Sequence, residues 1–300
     1  MKGNVENRAG RRDTAWWLSM LRKRRERMYE EKLDYSQKIE FRDEAERAAC
    51  IAFFNAAFRA EESGLTQAHT LADEIGKLDP DLGECLRLYG DEEGWHRELL
   101  TELIERIGGE IRPMGPTTRT FYKLYARAKR VDTIVLTNLM FETIGSTTYR
   151  LALRHVRTDA SFATLRHALT ILTRDESFHV PLNVHFLREC QKLGLGSHPL
   201  RQQALYDVLF GALLASAYAS RRRAFAFDNI PFPVLARAYG EHLGRLFLHE
   251  ADLRFSPPSP LLWSLGLTKG GLLRDPSPSV VSIEAAEAAV DRERVAVTAL

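Results

Sequence analysis

Residues 91–96 read DEEGWH and residues 174–179 read RDESFH. Both end in Glu-x-x-His, pairing Glu93 with His96 and Glu176 with His179. On a helix, residues three apart share a face, so each pair can present a carboxylate oxygen and an imidazole nitrogen to one point. With 25 Glu and nine His in 300 residues, about one such pair is expected by chance. Two matches become informative only through where they fall.

Helical periodicity dominates the chain, and no stretch alternates over a strand length. Residues 1–35 form a basic N-terminal helix, from Thr14 to about Glu31. A core follows over 36–194. Its first helix runs from about Ser36 to Leu78, and LDPDLG breaks it, with Pro80 suited to a first helical turn. Its second runs to Gly108 and Gly109, a natural C-terminal stop. After the loop IRPMGPTT, a third helix is expected over about Thr118–Val156. A fourth spans about Ser161–Leu193, with Pro181 expected to kink it. Residues 195–255 add two helices, about Leu200–Asp228 and Pro233–Phe255. The most apolar stretch, Leu205–Ala219, reads as a buried helix. Residues 256–300 are rich in Pro, Gly and Ser at first and are expected to be irregular, with Trp263 and neighbouring leucines as anchors and a short charged helix or a frayed end. The fold class is all-α: four long core helices with extra helices at both ends.

The two Glu-x-x-His pairs fall on the second and fourth core helices. A two-metal site in a four-helix bundle needs one further Glu from each of the other two. On the third helix, Glu142 is the only acidic residue between Asp132 and Asp159 and sits among Leu139, Met140, Phe141 and Ile144. Burying it without a cation or partner would be costly. The first helix offers Glu61 and Glu62. Periodicity through Phe58 and Leu65 favours Glu62, while Glu61 lies on the adjacent stripe through Phe54.

One lone Glu, one Glu-x-x-His, a second lone Glu and a second Glu-x-x-His, one on each helix: this set resembles the ferritin-like di-iron carboxylate superfamily over roughly residues 36–193. The resemblance implies a ferritin-like four-helix bundle holding two iron ions. Glu62, Glu93 and His96 would serve one ion, and Glu142, Glu176 and His179 the other, with Glu93 and Glu176 as bridges. Asp175 and Glu92, each just before a motif Glu, would orient the histidines. Four carboxylates balance two divalent ions, and manganese or a mixed Mn/Fe pair suits the same ligands. Ser146, one turn after Glu142, resembles a hydroxyl residue that sits beside the O2 site in related monooxygenases and desaturases. Its simpler role is a small residue bonded back to the preceding turn.

Within that superfamily the expected activity is O2-dependent oxidation of an organic substrate by hydroxylation, desaturation or N-oxygenation. The substrate is small or carried on a protein, and a ferredoxin or reductase supplies electrons. The chain exceeds a minimal ferritin bundle, and no four-cysteine rubredoxin-like domain is present. Leu172 stands where arylamine N-oxygenases carry a third histidine, which counts against amine oxidation. The alternatives are a ferroxidase or peroxide-detoxifying protein, and a non-catalytic helical interaction module.

The remaining features bound the partners. Net charge is +2, which gives no overall signal for nucleic acid. The basic runs near the N-terminus and at Ser220–Phe225 read as solvated faces, with docking of an acidic carrier protein as the sharper alternative. Three cysteines without a C-x-x-C pair point to a reducing compartment. No run approaches the roughly 18 apolar residues of a membrane span, and the expected location is cytoplasmic. A homodimer is left open. His69 reads as a hydrogen-bonded core residue. Gly240–His242 and His249–Asp252 read as surface polar groups. Tyr122, Tyr125 and Tyr149 are candidate redox tyrosines that the pattern does not separate. No P-loop, Rossmann or Ser/His/Asp arrangement is present.

Overall fold

Asp43 accepts a hydrogen bond from Glu46 N (2.8 Å), and the Glu46 carboxylate accepts one from Arg42 N (2.7 Å). These local bonds satisfy donors that a helix start leaves open, and they begin a 32-residue helix. The computed structural model describes residues 12–28, 30–128, 130–248, 253 and 255–273. Among these the chain is helical, with no strand. The order is α1 (Thr14–Met28), α2 (Glu44–Ile75), α3 (Pro80–Arg106), α4 (Pro116–Tyr125), α5 (Val131–His155), α6 (Ala163–Lys192), α7 (Pro199–Asp228), α8 (Phe232–Arg245), α9 (Ser259–Ser264) and α10 (Lys269–Leu272). A single 3-10 turn, Ala160–Phe162, precedes α6.

The link between α2 and α3 is tight. Asp79 caps α3 by accepting from Leu82 N (3.0 Å), and Pro80 takes the first helical position. A Cβ on Gly83 would stand 2.5 Å from the Gly76 α-carbon, so the two helices meet here only as a glycine pair. α2 packs along α3, and α5 along α6; α2 also meets α5, and α3 meets α6, so the four surround one interior. α1 lies on α3, α7 on α2 and α5, and α8 on α5.

Two apolar clusters fill that interior. One includes Leu71, Tyr89, Leu139 and Phe186; the other includes Phe54, Leu100, Ala152 and Leu172. Each of α2, α3, α5 and α6 contributes to both. On α2, α3 and α6 the switch from one cluster to the other falls at the acidic and histidine residues singled out above, and on α5 Glu142 lies between Met140 of one cluster and Tyr149 of the other. The polar layer therefore crosses the middle of an otherwise apolar core, where uncompensated charge is expensive.

Several expectations change. The helix expected over 118–156 is two helices. The chain turns at Ala126–Arg127 and re-enters as α5. This lets Tyr125 donate its hydroxyl to Asn138 on α5 and places the Tyr122 ring parallel to Phe141 at 6.0 Å. α2 starts at Glu44 rather than Ser36, because Asp43 caps it there. The stretch Leu205–Ala219 is helical but not buried throughout: Tyr206, Phe210 and Leu213 face inward, while Val208 and Tyr218 are exposed.

The basic helix α1 packs one face on the core, burying Trp17, Leu18, Met20, Leu21 and Arg24, while Arg22 and Arg25 are exposed. Past residue 256 the chain forms two short helices, and Leu262 is the buried anchor while Trp263 is exposed. His242 is buried and bonded to the Thr147 hydroxyl (2.8 Å), against the surface reading. Residues 249–252 and the expected terminal helix lie outside the described residues. Cys50, Cys85 and Cys190 are buried free thiols. No helix among the described residues is long and apolar enough to cross a membrane.

Candidate metal centre

Periodicity delivers one group of residues from each core helix to the same level. Glu61 comes from α2, Glu93 and His96 from α3, Glu142 from α5, and Glu176 and His179 from α6. All six are buried. They form two overlapping sets whose potential ligand atoms lie within 4.8 Å of one another. One set is Glu61, Glu93, His96 and Glu176, and the other is Glu93, Glu142, Glu176 and His179. Glu93 and Glu176 belong to both, which is the arrangement two neighbouring ions sharing two carboxylates would need.

Four of these buried atoms lack the hydrogen bond that burial ordinarily brings, while His96 Nδ1 keeps one to Glu61. Glu93 Oε1, Glu142 Oε2, Glu176 Oε1 and His179 Nδ1 are buried without a hydrogen-bond partner among the described residues. His179 Nδ1 lies 3.0 Å from Glu93 Oε1 and 3.3 Å from Glu142 Oε2, yet is not aligned to donate to either. His96 Nδ1 lies 3.3 Å from Glu61 Oε2 and 3.8 Å from Glu176 Oε1. Orphaned buried polar atoms are rare and require an explanation. Several converging on one point, with hard oxygens and imidazole nitrogens among them, suit divalent first-row ions.

The opposite edge of each imidazole is braced by the other motif. His96 Nε2 is 3.1 Å from Asp175 Oδ2, and His179 Nε2 is 3.3 Å from Glu92 Oε2. With Nε2 occupied in this way, Nδ1 is left for a metal. One buried guanidinium joins the two braces: Arg24 Nη2 lies 2.5 Å from Glu92 Oε1 and 2.6 Å from Asp175 Oδ1. Arg174 adds a second contact to Asp175 (2.7 Å). Two tyrosines hold the terminal carboxylates. Tyr149 donates to Glu61 Oε1 (3.1 Å), and Tyr89 donates to Glu142 Oε1.

Electrostatics follow from this layout. Burial raises the pKa values of Glu93 and Glu176, and the Glu142 and Glu61 carboxylates push them further. Burial alone would lower His96, but hydrogen bonds to Asp175 and Glu61 outweigh it and hold its pKa at about 10. Burial would raise Asp175 and Glu92, but the Arg24 charge overrides it and keeps both low. Without metal, protons on the imidazoles offset part of the carboxylate charge; divalent ions would replace them.

Glu62 is not in the cluster. It is more than one-third exposed and paired with Arg59 (2.6 Å), so Glu61 is the α2 residue that meets the others. The stripe through Phe58 and Leu65 favoured Glu62, but Phe58 is buried while Leu65 and Glu62 are only partly so, and the cluster takes the neighbouring Glu61. A better signal was available. Glu61-x-x-Gly64 on α2 matches Glu142-x-x-Gly145 on α5. A Cβ on Gly64 would lie 3.0 Å from Glu93 Oε2, and one on Gly145 3.4 Å from Glu176 Oε2. Each glycine leaves room for one of the shared carboxylates.

Ser146 is fully buried, and its hydroxyl donates to the Thr143 carbonyl (3.1 Å). It is bonded back to its own helix, and Gly145 is the residue of that turn beside Glu176. His69 is partly exposed and pairs with Asp91 (3.1 Å). Arg24 and Tyr89 were not singled out by sequence. Tyr89 precedes Glu93 by one helical turn, which could have flagged it; nothing local marks Arg24 among its basic neighbours. No family model, curated protein or solved structure matches the chain.

Proposed function

We propose that the chain is a non-haem di-iron oxidoreductase of the ferritin-like kind, which uses O2 to hydroxylate or desaturate an organic substrate. The observation that carries this reading is the pair of ligand sets sharing Glu93 and Glu176, with their partnerless buried oxygens and nitrogen. Glu61 and His96 would serve one ion, and Glu142 and His179 the other.

When bound, the two ions supply the redox activation of O2. The protein does the rest. Asp175 and Glu92 hold each imidazole with Nδ1 inward. Tyr149 and Tyr89 fix one oxygen of Glu61 and Glu142 and leave the other for an ion. The surrounding apolar clusters limit water, which strengthens every electrostatic contact inside. Hydroxylation consumes O2, two electrons and two protons, and yields the alcohol and one water. Desaturation uses the same inputs and yields two waters. The electrons come from an external donor of the ferredoxin or reductase class.

A cavity that ends at Gly145 and Tyr149 favours an organic substrate over iron or peroxide turnover. The test is anaerobic loading with ferrous iron, removal of free metal, then exposure to O2 and reductant. The expected result is two irons retained per chain and O2 uptake coupled to an oxidised organic product. Continuous ferric deposition beyond two irons per chain would instead make it a ferroxidase, and no metal uptake at all would leave a helical interaction module.

A further inference from the structure

Two cavities meet between α2, α4, α5, α7 and α8. The inner one, about 160 Å³, is walled mostly by apolar side chains (alanines of α2, Phe141, Ile144 and Leu213), and the one arginine on its wall, Arg221, is paired with Asp228 (2.7 Å). It reaches Gly145, whose Cβ position lies 3.4 Å from Glu176 Oε2, and Tyr149, whose hydroxyl is on Glu61. An apolar cavity of about 150 Å³ is large enough to hold benzene. The inner chamber therefore matches a single ring or a short branched chain.

The outer chamber, also about 160 Å³, shares Ala52, Ala56, Tyr122, Ser216 and Ser220 with the inner one, so the two are continuous. Its character is different. It is lined by Arg59, Arg112 and Arg223 and by no acidic residue. Arg59 is already committed to Glu62 (2.6 Å) and to the Arg112 carbonyl (2.8 Å). Arg112 and Arg223 are exposed, and neither guanidinium makes an ion pair with a described residue. A guanidinium is the side chain best suited to a planar or tetrahedral oxyanion.

We propose that the joined cavities bind an amphipathic acid. Its ring-sized apolar end occupies the inner chamber against Gly145 and Tyr149, and its carboxylate or phosphate lies between Arg112 and Arg223. The fate of the bound group rests on the oxidative reading above. Binding itself does not, because none of the six clustered acids and histidines lines the outer chamber.

The test is calorimetric titration of the full chain, before and after ferrous loading, with benzoate, phenyl phosphate and the neutral benzamide. One anion should bind at least about tenfold more tightly than benzamide, since a charged hydrogen bond contributes about 1.5 kcal/mol or more. Which anion binds better distinguishes the carboxylate from the phosphate. Arg112→Ala and Arg223→Ala, both at exposed positions, should each weaken anion binding about tenfold and leave benzamide unchanged. Ala56→Phe, which fills the wall common to both chambers, should abolish binding of all three. Equal affinity for benzamide and the anions, anion binding indifferent to both arginine variants, or no binding of any probe would overturn the proposal. Metal content of the same samples separates the two readings. Probe binding without metal uptake would sink the oxidative function alone, and metal uptake without probe binding would sink the substrate class alone.

Discussion

His96 of the first Glu-x-x-His motif presents its Nε2 3.1 Å from Asp175, the residue that precedes the Glu of the second motif. The reciprocal pair, His179 and Glu92, closes at 3.3 Å. Each motif therefore carries one histidine of the cluster and the brace for the other. Asp175→Ala should reduce affinity at the His96 side by about 10–100-fold. Competition against a chelator of known affinity measures this, and an unchanged affinity would remove Asp175 from the site.

Arg24 lies between those two braces, with its guanidinium almost fully buried. Removing one partner from a buried ion network costs about 3–5 kcal/mol. Arg24→Met should therefore lower the thermal midpoint by roughly 10 °C in a chain of this size. A shift under about 2 °C, followed by circular dichroism, would contradict the role given to Arg24.

The adjacent acids of α2 separate cleanly. Glu61→Gln should lose one of two metal ions, while Glu62→Gln, at a half-exposed residue paired with Arg59, should retain both. Elemental analysis of the two variants decides between them, and the reverse pattern would restore the reading from periodicity.

Much of this arrangement was legible in the sequence. The spacing of Glu93 with His96 and of Glu176 with His179, and the isolation of Glu142 in an apolar helix, located three of the four contributing helices at the right level. The ends of α3 could be read from Pro80 and from Gly108, which adopts a positive φ of 76°. What stayed hidden depended on rotation and on long-range contact. Glu61 and Glu62 differ by about 100° around the same helix, and the deciding partners are on α3, α5 and α6. Arg24 is separated from Asp175 by 151 positions, and its neighbours are equally basic, so only tertiary packing distinguishes it. The turn between α4 and α5 is likewise set by Tyr125 reaching Asn138 and not by a strong local breaker.

Metal should stabilise the fold, because four convergent carboxylates are otherwise held together against their own repulsion. A ligand at one hundred times its dissociation constant adds about 2.7 kcal/mol to the native state. The midpoint should rise by roughly 5–10 °C on ferrous or manganous loading, and a chelator should reverse it. No rise with either metal would count against a native-state site.

The most direct test of the central claim is metal stoichiometry in the full chain after anaerobic ferrous loading and desalting, for the natural protein beside Glu93→Ala and Glu176→Ala. Two ions per chain are expected in the natural protein and at most one in either variant, because Glu93 and Glu176 each belong to both ligand sets. Two ions retained in both variants, or none bound by the natural protein, would contradict it.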